Sequence, residues 1–92
     1  MKGDVVSQTS DRIISVIRDR GKRTKQQGIP IGLENTGGCK GSEMKLTLHM
    51  LYDGHQHSER LSDCLSPDER ARVREAVNTF CKESNGKYTM KE

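Results

Sequence analysis

Six residues of this 92-residue chain carry the thiol or imidazole atoms that build metal centres and covalent catalysis: Cys39, His49, His55, His57, Cys64 and Cys81. Structural zinc is usually gripped by tight pairs, Cys-x2-4-Cys or His-x3-5-His, because two ligands from one turn pre-organise half the tetrahedron. The only close pair is His55-Gln56-His57, where i and i+2 side chains of a strand share one face. Cys64 is the thiol that would join it. These three are weak metal candidates, and polar residues at an exposed hairpin end are the simpler reading. A Cys64–His57 nucleophile would also need an orienting third group and oxyanion donors in a concave site. A thin core with one hairpin offers little concavity. The chain therefore reads as non-enzymatic, with no catalytic residue and no cofactor.

The run Thr36-Gly37-Gly38-Cys39-Lys40-Gly41-Ser42 superficially resembles a phosphate-binding loop. A Walker A loop requires Gly-x4-Gly-Lys-Ser/Thr leading into a helix, whose amides face the phosphate. Here Gly41 separates Lys from Ser and a strand follows, so both spacing and context fail. Residues 34–43 read instead as a flexible glycine-rich connector.

The strongest functional signal is electrostatic. Arg18, Arg20, Lys22, Arg23 and Lys25 place five cations within eight residues. Such a cluster attracts phosphates or an acidic protein surface. Arg70 and Arg74 form a supporting pair, i, i+4 neighbours on a later helix, with Asp68, Glu69 and Glu75 near enough to neutralise them. Stacking on single-stranded nucleic acid is disfavoured, because the chain has two Tyr, one Phe and no Trp.

These residues belong to a sequence that is 30% hydrophobic with a formal net charge of +3. Residues 1–41 carry eight Lys/Arg against four acids, whereas residues 42–92 carry eight against nine. The excess positive charge thus lies entirely in the first part. One domain of this size buries only ~60–65% of its unfolded surface, so the core is thin and burial against a partner or second copy is expected. Three cysteines at wide spacing do not resemble a disulfide framework. No signal peptide and no membrane span are evident. Free thiols in a reducing cytoplasm are the expectation.

The elements that must position these groups follow from periodicity. Ile13, Ile14, Val16 and Ile17 cluster on one side of a helix over 11–20, with Thr9 or Ser10 as N-cap and Gly21 just past its end. Lys22–Gln27 then reads as a basic connector. Gly28–Leu33 suits a short edge strand, since Pro30 is tolerated at edges. Met44–Tyr52 alternates cleanly: Met44, Leu46, Leu48 and Met50 face one way, Lys45, Thr47 and His49 the other. Asp53-Gly54 supplies a type I′ turn. The return strand, about 55–62, has two registers: a two-residue turn sets Glu59 beside Leu48, a three-residue loop sets Arg60 there. Ser66-Pro67-Asp68-Glu69 is a capping box with Pro at N1, opening a helix that carries Val73, Ala76, Val77 and Phe80 and stops at Asn85-Gly86. Residues 1–8 and 87–92 are expected to fray.

The expected fold is α+β: a small antiparallel sheet, made of a β-hairpin and a third short edge strand, packed by an N-terminal and a C-terminal helix. That order resembles the double-stranded-RNA-binding domains. The family's second helix, however, opens on a Lys-Lys-x-Ala-Lys-like run, where this chain has Ser66-Pro67-Asp68-Glu69-Arg70. Its Gly-Pro-x-His loop before the second strand is also missing, so the resemblance is one of topology. The expected role is that of a regulatory or accessory protein binding another macromolecule through the basic segment 18–25. A protein partner comes first, DNA or RNA second, and a metal-stabilised module using His55, His57 and Cys64 third.

Overall fold

A computed structural model of the chain describes residues 4–23, 29–52, 55–85 and 88–91. It contains helix α1 (Val5–Arg23), strands β1 (Ile29–Thr36), β2 (Lys45–Tyr52) and β3 (His55–Arg60), helix α2 (Pro67–Glu83) and strand β4 (Tyr88–Lys91). The strands form one sheet in the order β3-β2-β1-β4. The β1–β2 and β2–β3 pairs are antiparallel, and β1–β4 is parallel. The α+β class with two helices and an antiparallel β1–β2–β3 sheet is as the periodicity predicts.

The alternation of β2 explains where the core lies. Leu46, Leu48 and Met50 are fully or almost fully buried and meet Leu33 of β1, Val6, Ile13 and Ile17 of α1, and Val73, Val77 and Cys81 of α2 in one cluster. Both helices therefore lie on the same side of the sheet. They also run in the same direction: Thr9 and Arg12 reach Asp63, just ahead of α2, while Arg18 lies over Phe80 in the last turn of α2.

Helix α1 begins six residues earlier than the apolar pattern suggests. Asp4 is its cap, with Oδ1 accepting from the Val6 N–H at 3.0 Å. Thr9 and Ser10 are not caps; they are buried inside the helix. Val6, Thr9, Ser10, Ile13 and Ile17 form one stripe whose middle is polar, so hydropathy alone hides its first half. Each hydroxyl is satisfied: Thr9 Oγ1 donates to Asp63 Oδ2 at 2.9 Å and Ser10 Oγ to the Val6 carbonyl at 2.6 Å. At the other end α1 continues through Gly21 to Arg23, so Gly21 is a helical residue rather than a C′ stop. Four of the five clustered cations thus lie on the helix and not in a connector. Residues 1–3 lie outside the described residues, and Val5–Gln8, expected to fray, are helical.

The helix α2 start is as read. Ser66 Oγ accepts from the Glu69 N–H at 3.2 Å and Glu69 Oε1 accepts from the Ser66 N–H at 2.8 Å, with Pro67 at the first helical position. The exit uses Asn85 at φ 58°, the left-handed conformation an asparagine tolerates.

Two expectations about the sheet are corrected. The tail does not fray: Tyr88–Lys91 pairs with β1 in the register Ile29↔Tyr88 to Gly32↔Lys91. Tyr88, 7% exposed, stacks on Phe80 with ring centroids 5.6 Å apart, and this apolar contact holds the strand. In consequence β1 lies between two neighbours and is not an edge. Pro30 is accommodated because it precedes the first β1–β2 pair, Ile31↔Met50, so its missing N–H costs no bond to β2.

The hairpin register is that of a two-residue turn, with Tyr52↔His55, Met50↔His57 and Leu48↔Glu59; Asp53-Gly54 itself lies outside the described residues. His57 and Glu59 consequently occupy the helix side of an edge strand. Their side chains keep 29% and 37% exposure and approach each other at 3.3 Å, which is how the sheet tolerates a carboxylate opposite Leu48.

Beyond β3 the chain stays beside β2. Leu61 N–H bonds the Leu46 carbonyl, and Met44 and Leu65 exchange both backbone bonds at 2.9 Å. Between these two pairings a single residue, Lys45, thus faces three, Ser62-Asp63-Cys64, and the longer segment bulges. Cys64 is joined there by a disulfide to Cys39, with the two Cα atoms 6.0 Å apart. The expectation of three free thiols is corrected: wide spacing in sequence hid a pair that the β2–bulge pairing brings together. For a separation of 25 residues the loop-closure estimate is about 3.5 kcal/mol, as much as burying one or two large aliphatic side chains. That is a substantial supplement to a thin core. The connector is also shorter than expected, since residues 34–36 belong to β1 and Cys39 is tied down.

Candidate functional site

The basic segment is positioned by α1. Arg18, Arg20, Lys22 and Arg23 occupy its last two turns, and Lys25 lies outside the described residues, as do the side-chain placements of Arg20, Lys22 and Arg23. Arg18 is exposed, and its guanidinium sits 5.1 Å from the centroid of the Phe80 ring. A cation over an aromatic face gains roughly 0.5–1 kcal/mol at an exposed site. That contact orders one charge of the cluster without removing it from solvent. Cations here also complement the carbonyl end of the helix dipole.

Arg70 and Arg74 are not brought to this cluster. Arg70 lies ten residues before Phe80, about 15 Å along the helix. Its Nη1 donates to the Leu65 carbonyl at 2.7 Å and the Ser42 carbonyl at 3.1 Å. Arg74 Nη1 donates to the Leu33 carbonyl at 3.0 Å, and Nη2 lies 3.4 Å from Asn35 Oδ1. Both guanidinia fasten α2 to the backbone of its neighbours. The i, i+4 ion pair on this helix is Arg72 with Asp68, at 3.1 Å.

The metal candidates separate. Cys64 has no thiolate to offer, because its sulfur is bonded to Cys39. His57 approaches Glu59, and the His55 side chain lies outside the described residues. Among the described residues, no group of three or more His, Cys, Asp or Glu side chains is placed to hold a metal ion. While that bond is intact, Cys64 cannot join His55 and His57 as a zinc ligand. Cys81 is buried in the core, and its desolvation pushes the thiol pKa up, which disfavours the nucleophilic thiolate.

On the uncovered side of the sheet the structure assembles a row that periodicity does not reveal. His49 Nε2 lies 2.8 Å from Glu34 Oε1, and its Nδ1 lies 2.8 Å from Ser58 Oγ. The tautomer protonated at Nε2 donates to the carboxylate and accepts from the hydroxyl. Acid, imidazole and hydroxyl in line are the parts from which a serine nucleophile is built. Here they sit mid-strand on an open sheet face, and the Glu34 side chain is 65% exposed. A working triad needs excluded water and donors at the oxyanion position. The row fits a cross-strand network that fixes register across β1, β2 and β3. The signal available in the sequence was the Asp53-Gly54 turn, which in its two-residue register sets Ser58 opposite His49.

Beside the row, Arg60 Nη2 donates to the Gly37 carbonyl at 3.0 Å. Gly38, at φ +100°, leaves the same guanidinium room: a Cβ there would come within 3.0 Å of Arg60 Nη2. Gly37 and Gly38 are thus where the loop meets Arg60. Among the described residues no helix is long and apolar enough to cross a membrane.

No protein-family model, no curated protein and no solved structure matches this chain.

Proposed function

We propose that this protein is a non-catalytic binding module that docks an acidic surface of a partner protein through the basic C-terminal end of α1. The observation that carries this reading is the extension of α1 to Arg23, which gathers Arg18, Arg20, Lys22 and Arg23 into two turns of one helix. Opposite charge across an interface raises encounter rates and fixes orientation.

A protein partner is favoured over nucleic acid for two reasons. Arg70 and Arg74, which would widen a phosphate footprint, are committed to backbone carbonyls. The helix that would have to grip a groove opens on Asp68 and Glu69 instead of lysines. Nucleic-acid binding through Arg18–Lys25 is the second reading, and self-association of a thin-cored domain is compatible with either. As to compartment, the Cys39–Cys64 bond favours an oxidising environment over the cytoplasm.

The test is fluorescence anisotropy with labelled poly-glutamate, duplex DNA and duplex RNA at about 50 and about 200 mM salt. The proposal expects poly-glutamate to bind more tightly than either duplex, and charge reversal at Arg20, Lys22 and Arg23 to abolish it. Tighter duplex binding that weakens ~10²-fold or more across that salt range would establish several phosphate contacts and replace this reading with the second.

A further inference from the structure

We infer that the Cys39–Cys64 pair is a reversible thiol–disulfide exchange site, that its substrate class is a low-molecular-weight thiol and the corresponding disulfide, and that Cys64 is the sulfur attacked. Three independent observations meet at this point.

The first is access. Cys64 is exposed on the Ser62-Asp63-Cys64 bulge, whereas Cys39 is half-buried in the glycine-rich loop. Exchange requires an external thiolate to reach one sulfur along the disulfide axis, and the more accessible sulfur is the one it meets.

The second is the local character of what the bond holds. It ties residues 37–43 to the bulge, and both flanks are fixed by other means. Met44 and Leu65 exchange two backbone hydrogen bonds and Leu61 bonds Leu46. Asp63 is held by Thr9 and by Arg12, the latter at 3.3 Å. The core cluster contains Leu61 and Leu65 but neither disulfide cysteine. Opening the bond therefore loosens the middle of the loop around Cys39, which stays hung on Arg60 at Gly37 and on Arg70 at Ser42, while the strand register and the helix contacts stay in place.

The third is the third cysteine. Cys81 is 4% exposed, lies in the core, and burial raises its pKa. It neither reaches the external thiol nor competes as an attacking thiolate, so the pair exchanges without scrambling.

The chemistry balances. An external thiolate RS⁻ attacks Cys64 Sγ, forming the RS–Sγ bond while the Sγ–Sγ bond breaks and its electron pair leaves on Cys39, which takes a proton from water. A second RS⁻ attacks the sulfur of the mixed disulfide that came from the first RS⁻, releasing RSSR and the Cys64 thiolate, which is likewise protonated. The protein disulfide is reduced by two electrons and two RSH are oxidised. The reverse reaction restores the bond from RSSR.

The experiment incubates the full chain with reduced and oxidised glutathione at graded ratios, quenches with acid, and locates the adducts by peptide mass spectrometry. Hydrogen exchange of the same samples reports the backbone. The expected result is a mixed disulfide predominantly on Cys64 rather than on Cys39, with Cys81 unmodified. Faster exchange should be greatest in residues 37–43 and 62–64, with β2 and α2 remaining the best-protected elements. A Cys39→Ser variant should accumulate the Cys64 adduct, and a Cys39→Ser/Cys64→Ser variant should still melt cooperatively. Reduction that leaves β2 and α2 no better protected than residues 37–43 would overturn the inference, as would adducts predominantly on Cys39 or Cys81, or a double variant without a cooperative melt.

Discussion

On the helix side of β2, Leu46, Leu48 and Met50 are closed off by both helices, whereas on the reverse side Lys45 and His49 are half-buried, Leu51 is exposed, and only Thr47 is buried. The two sides also satisfy their polar groups differently. Under the helices, Thr9 and the Leu33 carbonyl find partners fixed by distant chain, Asp63 and Arg74. On the open side, Glu34, His49 and Ser58 bond to one another across adjacent strands while staying in reach of water. Burial makes a lost bond costly, because the orphaned group cannot turn to solvent. Stability should therefore be concentrated on one side of a sheet barely one residue thick, leaving the other side free to vary.

The largest break in that contrast comes from the centre of the covered side. Leu48→Ala should destabilise the domain by roughly 2–5 kcal/mol, read as a fall in the urea midpoint; a loss under about 1 kcal/mol would mean the cluster repacks and is not the seat of stability. Next, Arg74→Met removes the donor to the Leu33 carbonyl and should cost about 1–3 kcal/mol, again by urea titration. An unchanged midpoint would show water replacing the guanidinium.

A pH titration sharpens the comparison further. Cys81 is raised in the folded state by burial. Its contribution is fully present below the unfolded thiol pKa of about 8.5 and is lost as pH rises through the folded value, because only the unfolded chain sheds the proton there. Stability should fall as pH rises above the unfolded thiol pKa, by at most about 1.4 kcal/mol per pH unit from this group. Cys81→Ala should flatten that limb of the profile. A profile identical to the parent would place the alkaline loss elsewhere.

The smallest effect is expected on the open side. His49→Ala cuts both bonds of the row, yet cross-strand pairs of this kind are worth roughly 0.2–1 kcal/mol. A larger loss in the same titration would show that the uncovered side also supports the fold.

How far the sequence discloses all this depends on how local each determinant is. The α2 start could be read from four consecutive residues, because a capping box is a local hydrogen-bond pattern. The facing of β2 was legible because alternation of period two is unambiguous over nine residues. The first half of α1 was not, because Thr9 and Ser10 interrupt its stripe and only Asp63, 54 residues away from Thr9, explains why a threonine is buried there. The tail strand eluded periodicity for a similar reason. Four residues carry no pattern, and Tyr88 becomes apolar anchorage only once Phe80 stands beside it. The candidate site divides in the same way. The clustering of Arg18 to Lys25 is written in consecutive residues, but the pairing of Cys39 with Cys64 and the row Glu34–His49–Ser58 exist only after strand register is set.

The parallel β1–β4 pairing has a kinetic consequence. Ile29 meets Tyr88, 88 − 29 = 59 positions further along a chain of 92 residues, whereas the β2–β3 hairpin closes over a two-residue turn. Loop-closure entropy makes distant pairings late events. The hairpin, the helices and the β1–β2 ladder can therefore assemble while one side of β1 still presents unpaired backbone groups. During that interval β1 is a temporary sheet edge, able to recruit a strand from another molecule. The last few residues of the sequence close that window.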